Sequence, residues 1–341
     1  MHTIHDVARL AGVSIATVSA VLNKKGGVSA ELTDRVEKAL QALDFQPHQL
    51  ARGLKARRTN TIGVVIPDFT NTFFAEVVRG AEDEARSQGY SLILCDSNED
   101  GGMDRVNLDN LYARRVDGVL LSPSHVLTGL DRQSQRRFPI VFVDRIAPGF
   151  DGPAVVIDNF AGAYRATQHL ISLGHKRIAI IAGRQDFCNA MDRLEGFRKA
   201  LQKAGLPLHD EYLQRGDFQL ESGHRCGLNL LQLPKPPTAI FSSSNKMTLG
   251  LMSAITELAL LCPGNVSVLG FDDFDWAANF SPRLTTVAQP THHMGVEAMR
   301  MLLAAIRSRD QKAEVERKLV MLKPELRIRN STAPPREAAT A

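Results

Sequence analysis

TIHDVARLAGVSIATVSAVLN, residues 3–23, decides how the chain begins. Ile4, Val7, Ala8 and Leu10 recur at helical spacing, which predicts a helix over about His5 to Ala11. Gly12 and Val13 supply a tight turn. Ser14 can cap a second helix, Ile15 to Asn23, because its hydroxyl accepts an otherwise unpaired backbone N–H. Val18 and Val21 then face inward, while Ile15, Ala16, Thr17, Ser19 and Ala20 lie on or near the outer side. After Ser29, AELTDRVEKALQALDF predicts a third helix with Leu32, Val36, Leu40 and Leu43 along its inner face. Helix, glycine turn, second helix and supporting helix form the helix-turn-helix pattern, whose second helix sets its early residues against base edges in the major groove. A small three-helix bundle with no nucleic-acid role fits the same spacing.

Charge separates these readings. Residues 1–60 hold nine Lys/Arg and five Asp/Glu, an excess of +4. The chain of 341 residues carries 41 basic and 37 acidic side chains in all, so the remainder holds 32 of each and is neutral. A basic segment ahead of a neutral body points to a polyanionic partner for that segment alone. Its last part, LARGLKARR at 50–58, has four cations and apolar residues at Leu50, Ala51 and Leu54. It reads either as a charged linker or as a short helix awaiting a partner. A helix of about nine residues is marginal alone in water, and Gly53 weakens it by roughly 1 kcal/mol relative to Ala.

From Thr61 the pattern changes. TIGVVI, SLILC, GVLL, IVFV, RIAII, TAIF and VSVLGF read as buried strands, with helical stretches between them such as FFAEVVRGAEDEARSQG. This alternation predicts parallel sheets covered by helices. The pattern also repeats: Gly80 to Gly89 and Gly196 to Gly205 share a spacing of nine, each pair ending a strand–loop–helix unit. Two similar α/β lobes follow, with a ligand cleft between them at the carboxyl ends of the strands.

Composition excludes several classes. The chain is 44% hydrophobic and 23% charged, ordinary for a globular protein. No apolar run approaches the roughly 18 residues of a membrane helix, and the N-terminus lacks the apolar core of a secretory signal, so a cytoplasmic location is expected. The four cysteines, 95, 188, 226 and 262, are far apart and read as buried reduced thiols. No cofactor or metal is expected, since no P-loop or H-E-x-x-H run occurs and the adjacent pair His292-His293 lacks ligand spacing. No G-x-S-x-G elbow occurs either, so no catalytic residue is assigned and an enzyme is not expected. A transport-type binding protein using the same lobes without DNA is the remaining alternative.

The runs TIHDVARLAGVSIATVSAVLN and VSAELTDRVEKALQALDFQPHQLARGLKARRTNTIGVVIPD resemble the lactose/galactose repressor (LacI/GalR) family, and the likeness extends through nearly the whole chain. The resemblance implies an all-α helix-turn-helix domain with a hinge helix of about 48–57, within 1–59, joined to a two-lobed periplasmic-binding-protein-like core over 60–330. Lobe one would span about 61–160 and 290–318, lobe two about 161–289 and 319–330, with 331–341 a loose tail. It implies a homodimeric transcriptional regulator of carbohydrate catabolism, expected to be a repressor, that binds a pseudo-palindromic operator and a sugar-like effector. On DNA, Ile15, Ala16 and Ala20 occupy the specificity positions. None of them makes a bidentate base contact, so contact with thymine methyls or close approach is their expected use. Thr17 and Ser19 would anchor phosphates, with Ser14 and Asn23 beside them. Ala51, Leu54 and Lys55 would lie in the hinge, and Leu54 would wedge into the central base step. Gly53 departs from the small polar residue often found there.

For the effector, the resemblance implies Asn71, Phe73 and Phe74 on a first-lobe loop, Arg193 before LEGF, Phe218 in GDFQ, Asn245 after TAIF, Asp272 after VLGF and Gln289 at a crossover. Asp273 matches a structural position. Where the family commonly has Asn-Asp, this chain has Ser244-Asn245 followed by Lys246. Losing a carboxylate near the cations Lys246, Arg145 and His125 suggests an anionic effector such as a sugar acid. The alternative is that Lys246 and Arg145 face solvent or pair with acids.

Overall fold

The computed structural model describes residues 2–22, 27–45, 58–124, 138–147, 150, 152–279, 281–311 and 318–336. The chain divides into two units, Met1–Thr59 and Asn60–Ala341.

The first unit contains α1 (Ile4–Ala11), α2 (Ile15–Leu22) and α3 (Ala30–Ala42). The Asp6 carboxylate accepts the Thr3 N–H at 2.9 Å and so closes the first turn of α1; that bond holds the Asp6 pKa below its usual value. Gly12 ends α1 in the left-handed region at φ 62°, a conformation that suits glycine because a Cβ would crowd the backbone. Arg35 of α3 donates to Ala11 O at 2.7 Å and Gly12 O at 3.2 Å, which places a cation at the negative end of α1. Ser14 then takes the Thr17 N–H at 3.1 Å, as expected of a cap. The axes of α1 and α2 diverge by 104°, within the helix-turn-helix range of about 90–120°. Val7, Ala8, Ala11, Val18, Val36 and Ala39 form the core, with Val21, Leu40 and Leu43 partly buried against it. One expectation fails: Leu10 is 56% exposed and Ala11 takes its place inside.

The second unit holds two six-stranded sheets. The first is β1 (Thr61–Ile66), β2 (Ser91–Asp96), β3 (Gly118–Leu121), β4 (Ile140–Val143), β5 (Ala154–Ile157) and β11 (Leu319–Leu322). Its order is β11-β5-β4-β3-β1-β2, and each pairing is parallel. The second sheet is β6 (Ile178–Ala182), β7 (Leu213–Arg215), β8 (Ala239–Ser242), β9 (Ser267–Phe271), β10 (Thr285–Ala288) and β12 (Glu325–Arg327). Its order is β12-β10-β9-β8-β6-β7, with β12 antiparallel to β10. Among the described residues the α-helices of this unit are α4 (Thr72–Ser87), α5 (Gly101–Ala113), α6 (Asn159–Ser172), α7 (Cys188–Lys203), α8 (Leu220–Leu231), α9 (Asn245–Glu257) and α10 (Thr291–Asp310). In each sheet the first strand in sequence, β1 or β6, lies between its two successors, so the order reverses there, and ligands gather outside the strand ends at such a point.

The repeated glycines have a common physical purpose. A Cβ on Gly80 would lie 2.0 Å from His292 O, and one on Gly196 would lie 2.3 Å from Phe160 O. Both glycines let a neighbouring helix, α10 or α6, approach to backbone contact. Gly89 and Gly205 follow their helices at φ 76° and 67°.

Several boundaries differ from expectation. SLILC forms an edge strand, half exposed, with Leu94 at 48%. Leu319–Leu322 pairs with β5 in the first sheet, so the third crossing lies at Lys323-Pro324, about four residues past its expected place. The segment 331–336 is not loose: Ser331 is fully buried, donates to Val268 O at 2.6 Å and accepts the Thr285 N–H at 2.8 Å. Of the four cysteines only Cys226 is buried, and the others are half-buried. Among the described residues no single helix is long and apolar enough to cross a membrane.

Candidate functional site

On α2, Ser14, Ile15 and Ala16 are exposed, and Thr17, Ser19 and Ala20 are partly so. They form one outward surface over the buried Val18. This surface carries no charged side chain; it offers hydroxyls at Ser14, Thr17 and Ser19 and apolar groups at Ile15, Ala16 and Ala20. Asn23, the expected hinge helix with Ala51, Leu54 and Lys55, and His125 all lie outside the described residues.

The second unit has a cleft between its lobes, holding about 390 Å³ of atom-free space that is partly open to solvent. Eight of the expected residues line it: Asn71, Phe73, Phe74, Arg145, Arg193, Phe218, Asp272 and Gln289. Each comes from a loop or helix start beyond a strand's carboxyl end. Asn71 caps α4 by accepting the Phe73 N–H at 3.1 Å, which fixes the orientation of the Phe73-Phe74 pair. Asn245, also expected in the cleft, lies at its rim, where Nδ2 donates to Asn71 Oδ1 at 2.7 Å and joins the lobes.

Asp144 ends β4 and Asp272 ends β9. Both have left-handed backbones, φ 67° and 73°, as does Phe218 at 72°. Such conformations concentrate at binding sites because they aim side chains that regular structure cannot. Asp272 accepts from Gln289 Nε2 and, at 3.3 Å, from the Asn245 backbone N–H. Asn189 Nδ2 donates to both Asp144 oxygens at 3.4 and 3.3 Å. Burial raises the Asp144 pKa, and the Asp272 charge adds to this, while Arg145 and Arg193 oppose it. Arg193 lies 3.7 Å over the Phe271 ring. Its Nε donates to Asn159 Oδ1 at 2.8 Å and Nη1 to Ser243 O at 2.7 Å. Burial lowers its pKa.

The cations invoked for an anionic effector are already engaged. Arg145 makes two hydrogen bonds of 2.9 Å to Glu99. Burial alone would lower its pKa, but the Glu99, Asp144 and Asp104 carboxylates together outweigh burial and raise it. Lys246 pairs with Asp68 of the opposite lobe. Four carboxylates, Asp68, Glu99, Asp144 and Asp272, line the cleft with two guanidinium groups, so for Arg145 and Lys246 the alternative reading, pairing with acids, is the one seen. Asp273 is structural as expected: it binds Arg329, Thr286 and Arg327. Burial alone would raise its pKa, but these bonds lower it.

The comparisons agree with both halves of this architecture. Residues 3–48 match the family described as bacterial regulatory proteins, lacI family, and residues 167–332 match the periplasmic binding protein-like domain. The chain is 39% identical over 332 residues to the HTH-type transcriptional repressor PurR of Actinobacillus pleuropneumoniae serotype 3, covering 97% of this chain and 98% of the relative. This chain belongs to the LacI family. It is also 41% identical over 310 residues to the ribose operon repressor of Escherichia coli K12, covering 90% of this chain and 93% of that one. The lac repressor dimer bound to operator and an anti-inducer superposes with a TM-score of 0.83 at 28% identity, over 97% of this chain and 99% of that one. A LacI family regulator from Enterococcus faecium with bound ribose gives 0.71 at 32% identity, over 80% and 99%. This LacI-family protein is therefore a DNA-binding transcriptional regulator and not an enzyme.

Sequence reasoning missed other lining groups of this regulator: Asp68, Glu99, Asp144, Asn189, Gln219 and Ser244. Two had a usable signal. Asp144 directly precedes Arg145 at a strand end, and Asn189 stands one helical turn before Arg193, on the same face of α7. Glu99 had none, because only the fold brings its loop beside Arg145.

Proposed function

We propose that this LacI-family regulator is a cytoplasmic, homodimeric repressor of a carbohydrate-catabolism operon, controlled by a neutral sugar of the ribose class bound in the cleft. One observation carries the sugar assignment. Asn189 Oδ1 and Gln289 Oε1 are buried with no hydrogen-bond partner among the described residues. Both are acceptors, and they stand beside the carboxylates Asp144 and Asp272; the one unpartnered donor of the cleft lining among the described residues, Arg145 Nε, is held 3.6 Å from the Asp144 carboxylate. Acceptors leave room for a ligand that donates, which a polyol does through its hydroxyls and a carboxylate or phosphate group does not. Phe74 and Phe218 offer apolar faces to a ring. The names of the Escherichia coli ribose operon repressor and the ribose-bound Enterococcus faecium regulator support the same class.

On operator DNA, Ile15, Ala16 and Ala20 face base edges, Ser14, Thr17, Ser19 and Asn23 meet phosphates, and Ala51, Leu54 and Lys55 enter the minor groove as a hinge that folds on contact. Exposed apolar side chains on the first lobe, Leu94, Met103 and Val106, suit pairing with a second copy. Closure of the cleft shifts the paired lobes, which sets the hinge spacing and thus DNA affinity; by linkage, DNA changes sugar affinity by the same factor.

Titration calorimetry with ribose, gluconate and ribose 5-phosphate tests the ligand class. Heat with ribose and none with the acids is expected; binding of the acids with ribose inert would overturn it. Selection of genomic fragments by the full-length protein tests the operator, with one enriched pseudo-palindrome as the expected result.

A further inference from the structure

Lys246 is not among the residues that line the cleft, yet it is the cation at its mouth. It begins α9 in the second lobe and reaches across to the first. There its Nζ pairs with Asp68 and donates to Thr70 Oγ1 at 3.2 Å. Gln219 of its own lobe supports it from 3.5 Å. Asp68 is prepared for this role: its Oδ1 accepts the Thr70 backbone N–H at 2.8 Å, which leaves Oδ2 turned to the lysine. The pair is mostly shielded, with 23% of the Lys246 side chain and 14% of the Asp68 side chain exposed. Beside it, Asn245 joins Asn71 across the same gap. On another side, Arg184 of the second lobe stands 3.9 Å from Glu99 and Arg145 of the first lobe packs 4.3 Å over the Phe187 ring of the second. These bonds exist only while the lobes are together.

We propose that Lys246, itself outside the cleft lining, pairs with Asp68 as an electrostatic latch that holds the cleft closed and raises effector affinity. The inference rests on the sugar reading only for the choice of probe. A ligand must draw the lobes together, and a lysine that already favours closure reduces that cost, so the apparent affinity rises with the population of the closed state. The contribution is ionic and partly exposed, so it weakens with salt. Phe187, Arg184 and Asn245 stay in place in a Lys246 variant and limit the effect.

The experiment measures ribose affinity of the full-length protein by calorimetry at low and high ionic strength, for the parent, Lys246→Met and Asp68→Asn. Either substitution is expected to weaken ribose binding about two- to fivefold at low salt, the upper part of the range for solvent-accessible ion pairs, and to flatten its salt dependence. Lys246→Arg should restore most of the affinity. Equal affinities and equal salt slopes in parent and variants would overturn the latch. A second readout needs no ligand. Cys188 sits at the start of α7 against Ile146 of the first lobe, and burial raises its thiol pKa. Opening the lobes uncovers it, so iodoacetamide labelling of Cys188, read by peptide mass spectrometry, should accelerate in Lys246→Met. If the parent binds no ribose, the sugar reading fails, and the Cys188 rate alone decides the latch: a faster rate supports it and an unchanged rate rejects it.

Discussion

Replacing Asp272 with asparagine changes the cleft by one charge and almost no volume. Each oxygen of Asp272 already accepts one protein donor, Gln289 Nε2 on one side and the Asn245 N–H on the other. A carboxylate has about four acceptor sites, so roughly two remain for sugar hydroxyls. In the variant, the amide NH2 must face one of the two existing donors, which forces at least one ligand or protein hydrogen bond to break. The surviving bonds lose charge assistance. A hydrogen bond to a charged group is worth about 1.5–3 kcal/mol. One such loss with partial weakening of the other comes to about 2–4 kcal/mol, or roughly 30- to 1000-fold in Kd at 1.4 kcal/mol per decade. Calorimetry with ribose on Asp272→Asn should show this loss while operator binding without sugar persists. The sugar concentration needed to change operator affinity should rise by the same factor. A change in Kd below about fivefold in a folded variant would refute Asp272 as a ligand acceptor, because the lost charge could not then be facing the sugar.

Other consequences are as direct. A chain beginning at Asn60, the boundary between the two units, should keep ribose affinity within a few-fold and lose operator binding, read by fluorescence anisotropy. Gly80→Ala puts a Cβ 2.0 Å from His292 O, and overpacking of this kind costs about 1–3 kcal/mol or more; urea unfolding should show the loss. Gly205→Ala meets no atom within 4 Å and should lose only the roughly 1–2 kcal/mol of a left-handed backbone. His175 bonds Thr238 Oγ1 and Ala333 O, each at 2.9 Å, and burial holds its pKa below 6.5. The unfolded chain therefore binds the proton first. Stability should be complete above about pH 6.5 and fall as pH drops toward the folded value, by up to about 1.4 kcal/mol per pH unit. His175→Gln should flatten that slope in urea titrations at several pH values; an unchanged slope would exclude His175 as its source.

Local chemistry made the first unit legible. A capping serine, a glycine turn and three apolar faces specify three short helices within about forty residues, and the charge excess indicates their partner. The paired glycines likewise marked two lobes, because close helix approach and a left-handed cap each exclude most other residues. The burial of β2 was misjudged, since an apolar run such as SLILC reads the same at a sheet edge as at its centre. Which polar groups share the cleft was only partly visible. Asp272, Arg193 and Gln289 stand at positions that the resemblance assigns, but Glu99 enters on a separate loop, and no local pattern announces its pairing with Arg145.

The sequence by itself determined the two-part architecture and the direction of the charge asymmetry, because those depend on periodicity, turn chemistry and composition within short windows; the family followed from the likeness of whole runs to known repressors. Only the tertiary structure decided the electrostatics of the site. Lys246 and Asp68 are 178 residues apart, and Arg145 and Glu99 are 46 apart. No local pattern states that they meet. A cation counted alone in the sequence suggests an anionic ligand; the same cation neutralised across the cleft becomes part of what closes it.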